Sequence, residues 1–192
     1  QPAITYGFDL VNPESITWVR DHGASLVPEV GLSTKQAIQR LVETGIRDGV
    51  SHDRLAPRIM QVVGLRSDQV AAVERFRARL IKEGVNVDAV ERRAGRYAEA
   101  QLRYRAQVIS RQETMTAANE GQYELFQAAK SQGDLDPANT RRVWIATHDD
   151  RLDEACERLD EAEAPLDGPF PGGILNPPLH IQCRCATGLK FL

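Results

Sequence analysis

From Gly31 to Asp136 apolar residues return every three or four positions, the period of helices with one buried face, and glycines cut the pattern into segments. Ala37, Ile38, Leu41, Val42 and Ile46 form the first stripe, with Ser33 or Thr34 as N-cap, Gln36 placed for a capping box with Ser33, and Gly49 as its end. Leu55, Ile59, Val62 and Val63 form the second, opened by Ser51, carried past Pro57 and stopped by Gly64. Val70, Val73, Phe76, Leu80 and Ile81 form the third, between Ser67 and Gly84. Asp88 and Glu91 then make an N-terminal capping pair for a stretch without proline as far as Asp136. A continuous helix from Ala89 to about Lys130 would run roughly 60 Å at the usual rise. Helices of that length are uncommon in compact domains, so either a break near Ser110 to Thr116 or an antiparallel partner among the earlier helices is expected.

The two ends depart from this period. Pro2, Pro13, Gly23 and Pro28 punctuate residues 1–30, which predicts an irregular arm with at most a short helix over Ser15 to Arg20. Beyond Asp136, the β-branched and aromatic run Arg142 to Thr147 and the alternation from Cys183 to Phe191 predict a small antiparallel sheet. Between them, Pro165, Pro169, Pro171, Pro177 and Pro178 predict a surface loop of fixed shape. The fold class expected is α+β: a mostly helical N-terminal part with one long helix and a small antiparallel β unit at the C-terminus. The divisions fall at 1–30, 31–135 and 136–192.

At 192 residues and 42% apolar content the chain can bury a real core. No apolar run nears the ~18 residues of a membrane span, so no membrane is required for folding. No secretory pattern stands at the N-terminus, and a start at Gln1 rather than Met suggests a fragment or a processed chain. The net charge of −3 conceals a division: residues 75–111 carry 10 Lys+Arg against 4 Asp+Glu, and residues 112–192 carry 7 against 14. Such a basic band can follow a phosphate backbone, or it can be a solvated, ion-paired helix face. Arg92, Arg96 and Arg103 fall near one helical face with Arg93 and Arg105 beside it, which makes these five the candidate DNA contacts and leaves Val90, Ala94, Ala98 and Leu102 for the core.

Three cysteines are too few for a disulfide framework and fit assembly in a reducing cytoplasm. Cys156, His180, Cys183 and Cys185 are the close set of soft ligands, and zinc would use them as a tetrahedral site. The alternative is a metal-free turn in which His180 bonds backbone and the cysteines pack as small apolar residues. Gly-x-Ser-x-Gly, Walker A, His-Glu-x-x-His and deaminase patterns are absent. Glu161-Ala162-Glu163 superficially resembles the paired glutamates of ADP-ribosyltransferases.

Arg142-Val143-Trp144-Ile145-Ala146-Thr147, the turn Asp149-Asp150-Arg151, Cys156, Leu159-Asp160 and then Pro177-Pro178-Leu179-His180-Ile181-Gln182-Cys183-Arg184-Cys185 together resemble the C-terminal signature of the Mu F-like family of phage minor head, or head morphogenesis, proteins. Upstream, Arg105 to Gly121 is similar to the family's central helical pattern, with departures at Ser110 and Gln112. Asp153 stands where many members have a cysteine. The resemblance implies a minor capsid protein of a tailed phage, assembled in the host cytoplasm and carried in the virion. It would sit inside the head near the portal protein, contact packaged double-stranded DNA without sequence preference, and leave with it. No catalytic residue is implied. Arg111, Glu113 and Asn119 occupy the helical signature, and with Trp144, Asp150 and Arg151 they are expected to form a buried network that fixes sheet to helix. The alternatives are an ADP-ribosyltransferase-like domain carried by a phage head protein, in which Arg111 and Glu161 or Glu163 would share a pocket, and a plain nucleic-acid-binding protein.

Overall fold

A computed structural model describes residues 13–24 and 27–192; the remaining parts of the expected N-terminal arm, residues 1–12 and 25–26, lie outside the described residues. Helices α1 (Pro13–His22), α2 (Leu32–Arg47), α3 (His52–Met60), α4 (Ser67–Lys82) and α5 (Val87–Gln132) are followed by strand β1 (Thr140–Ile145), a single turn α6 (Glu154–Glu157), and strands β2 (Glu163–Pro165) and β3 (Ala186–Phe191). The α+β expectation holds, with a long helix and a small sheet at the C-terminus.

The segment expected as an arm with at most a short helix contains α1, whose ten residues bury Val19 and Ser15 completely. α1 crosses α5 closely because Gly121 has no side chain; a Cβ there would overlap the backbone and hydroxyl of Ser15. Val19, Ile38, Val42, Leu55 and Ile59 from α1 to α3 close on Ala106, Ile109 and Ala117 in the middle of α5 and form the main core.

Helix starts differ from expectation. α2 begins at Leu32 on Gly31 with no side-chain cap, Ser51 precedes α3 without a cap bond, and α4 begins after Arg66, whose amide is capped by Gln69 at 3.0 Å. α5 is capped by Asn86, whose side chain accepts from Ala89 N at 2.9 Å, and not by Asp88. Glycine ends hold as expected at Gly49 and Gly84, both left-handed at φ 64° and 74°.

α5 runs 46 residues without a break, roughly 69 Å. Among the described elements, α4 packs against α5 alone. Gln69 bonds Gln101 O at 3.2 Å, Phe76 meets Tyr97, and Arg77 bonds Glu91 at 3.1 Å, so the two helices run antiparallel as a two-helix arm. Val73, Leu80, Val90 and Ala94 are its thin interior, while Val70 and Ile81, expected to face inward, are 46% and 61% exposed because no third described element covers them.

The sheet order is β2-β1-β3 with both pairings antiparallel. Thr140, Arg142 and Trp144 alternate onto its buried face. Phe126 and Ala129 near the end of α5 meet Leu135, Leu166 and Leu189 and fasten the sheet to the long helix.

Candidate metal centre and basic arm

The Cys/His elements converge at the edge of this sheet. α6 begins at Asp153, whose Oδ1 caps Ala155 N at 2.8 Å, and this turn sets Cys156 into the interior. The segment after cis Pro178 brings His180 and Cys183 opposite, closed by Cys183 N donating to His180 O at 3.1 Å. Cys156 Sγ lies 3.1 Å from His180 Nε2 and 3.6 Å from Cys183 Sγ. His180 Nδ1 is 2.9 Å from the carbonyl of Ile181. A carbonyl accepts only, so Nδ1 carries the proton and the Nε2 lone pair faces the cysteines, the arrangement typical of a metal-ligating imidazole.

A cavity of about 10 Å³, lined by Asp153, Cys156, His180, Cys183 and Cys185 among others, adjoins these atoms and has room for one ion. Zinc at ordinary Zn–S lengths would separate two tetrahedral sulfurs by about 3.8 Å, close to the observed spacing of 3.6 Å. Cys185, expected as a fourth ligand, is buried but falls outside the ligand group of Cys156, His180 and Cys183. Its thiol hydrogen-bonds both Cys183 and Cys156, and the contact with Cys183 holds that thiol below its ordinary range, with help from backbone groups at Cys185 and Leu179, against the effect of burial. Burial pushes the Cys156 thiol up to about 11.

The expected polar network divides into separate contacts. Glu113 is buried and accepts from Ala24 N at 2.7 Å; burial raises its carboxyl above the usual range. Asn119 donates to Met115 O at 3.0 Å and to Cys185 O at 3.3 Å, which ties α5 to the strand beside the cysteines. Trp144 is fully buried, edge-on to Phe170 at 5.2 Å. Arg111 lines a surface cleft with Arg151, Leu152 and Arg184, among others. Arg151 is exposed and pairs with Asp149 at 3.5 Å, and Asp150 is exposed. Arg184 holds Asp149, with one contact at 2.6 Å, and keeps that carboxyl well below its ordinary range.

The side chain that does tie the unit together is Arg142, which sequence reasoning passed over. Its guanidinium is fully buried and donates to Pro165 O (3.3 Å), Leu175 O (2.9 Å), Asn176 Oδ1 (2.7 Å) and Gly168 O. Tyr123 and Phe170 rings lie 4.7 and 4.9 Å from it, and Asn176 passes the contact on to Glu120 at 3.1 Å. The signal was present: Arg142 is two residues from Trp144 on the same strand and must share its buried face.

On the arm, Arg92, Arg93 and Arg96 are exposed and have no ion-pair partner among the described residues. Arg103 is exposed and pairs with Glu99 at 2.7 Å. Arg105 departs from the expectation: it is 5% exposed and donates to Gly64 O at 2.7 Å and Pro28 O at 2.6 Å. Nine residues beyond Arg96, at 100° each, is half a turn around the helix, so Arg105 points to the core side.

A cysteine and histidine cluster on a small sheet is joined here to a long helix that carries a basic hairpin. The model of the family described as Phage Mu protein F like protein matches residues 36–188, from α2 into β3, and the chain belongs to that family. No curated protein and no solved structure matches the chain.

Proposed function

We propose that the protein is a minor capsid protein that acts inside the phage head near the portal and contacts packaged DNA through the arm, principally by Arg92, Arg93 and Arg96. The observation that carries this reading is the unpaired arginine face on α5 where, among the described elements, α4 packs against α5 alone. Unpaired guanidiniums attract phosphate, whereas the acidic C-terminal unit repels it, so DNA contact is confined to one end of the molecule. Membership of the family supports a virion location. Among the described residues no helix is long and apolar enough to cross a membrane.

Zinc belongs to the same proposal as a structural ion held by Cys156, His180 and Cys183, beside a cavity that Asp153 also lines. It would cross-link α6 to the His180 turn and leave the arm untouched. Catalysis has no comparable support: neither Glu161 nor Glu163 lines the cleft that Arg111 lines, and Glu163 is ion-paired with Lys190 across the sheet.

Sedimentation of lysates from infected cells tests the assembly reading. Co-migration with portal rings and heads is expected; a chain found free of both at every stage of assembly would overturn it.

A further inference from the structure

A groove of about 440 Å³ runs between α4 and α5, lined by Ala72, Arg75, Phe76, Arg79 and Tyr97. Its aromatic rings meet at 5.0 Å, and the Arg79 guanidinium lies 5.1 Å over Phe76. No carboxylate lines it. Arg75 is exposed with no ion-pair partner among the described residues, and Arg79 has Glu83 at 3.9 Å, an exposed pair that contributes little. The Tyr97 hydroxyl has no hydrogen-bond partner among the described residues. The two sides of the arm differ: Arg77 is neutralised by Glu74 at 2.7 Å and Glu91 at 3.1 Å.

We propose that this groove is an anion site that seats a phosphodiester of the DNA backbone, with Arg75 and Arg79 supplying charge and the Tyr97 hydroxyl a hydrogen bond. The inference rests on the DNA-contact reading above and adds α4 to it. Arg93 stands one turn before Tyr97 on the same face of α5, so the groove continues into the arginines already described. A strip of guanidiniums along two helices suits a linear polyanion such as DNA better than a short acidic peptide, which would need a single pocket.

Anisotropy titrations of the full chain with a mixed-sequence 30-base-pair duplex, from about 50 to 200 mM salt, test it. Arg75→Ala with Arg79→Ala should flatten the slope of log affinity against log salt by about 1.8 and weaken binding roughly tenfold at fixed salt. Tyr97→Phe should weaken binding a few-fold at unchanged slope, and Arg54→Ala, on α3, should change neither. If the groove pair keeps the parental slope while Arg92→Ala, Arg93→Ala and Arg96→Ala together flatten it, the groove assignment falls and DNA contact by α5 stands. If the parent chain binds no duplex even at the lowest salt, both fall. Binding of poly-glutamate that depends on Arg75 and Arg79, with duplex binding unaffected, would also overturn the assignment in favour of an acidic protein partner.

Discussion

The arm and the C-terminal unit are built on opposite principles. The arm buries four aliphatic side chains between two helices, half-buries one aromatic pair and leaves its charges in water. The C-terminal unit has three short strands, yet it places a guanidinium, a tryptophan and three cysteines fully inside. Helices satisfy their own backbone, so a helical hairpin needs little tertiary support to hold a shape. Short strands joined by a proline-rich loop do not, and here Arg142 supplies donors for loop carbonyls that the sheet cannot reach. Substitution should therefore read as stability in one region and as binding in the other.

Metal removal should give the largest effect. Structural zinc contributes on the order of 10 kcal/mol of apparent free energy, so chelator should melt the C-terminal unit and spare the arm. Elemental analysis without zinc, together with an unchanged melting curve in EDTA, would leave packing alone to explain the cluster. Arg142→Ala comes next, at about 3–5 kcal/mol in a denaturant titration, because three carbonyls and Asn176 lose a buried cationic donor. Gly121→Ala should cost about 1–3 kcal/mol by forcing α1 off α5. Arg105→Ala should cost about 1–3 kcal/mol, whereas Arg103→Ala should cost less than about 0.5 kcal/mol. That contrast separates two arginines only two positions apart.

A pH dependence gives the smallest signal. Burial raises the Glu113 carboxyl, so the folded chain keeps its proton to higher pH than the unfolded chain does. Stability from this group is full at low pH and declines as pH rises from the ordinary carboxylate range through the raised value. Glu113→Gln keeps an acceptor for Ala24 N and should flatten that decline; an unchanged pH profile of the melting temperature would remove Glu113 as its source.

Much of this division was legible in the residues. Apolar spacing marked α2 to α5, glycines marked their ends, and the Cys/His spacing marked the centre that the fold assembles. What was not legible depended on neighbours far along the chain. α1 is held by the gap at Gly121, ninety-nine or more residues beyond its last turn. Glu113 was expected in one network with Arg111 and Asn119 but accepts from the distant amide of Ala24, and Cys185 packs its thiol against Cys156 and Cys183 from beside the three-ligand cluster. Arg105 and Arg142 were different: helical and strand periodicity assign both to buried faces, but Arg105 was placed beside the exposed arginines and Arg142 was passed over.

The claim that the arm is a binding element mounted on a separate structural body is tested most directly by one comparison of salt slopes. Arg92→Glu, Arg93→Glu and Arg96→Glu combined, on a chain shown to melt at the parental temperature, should lower the slope for duplex DNA by about two to three. The parental slope in that folded variant would contradict the account and leave the arginine face as solvated surface.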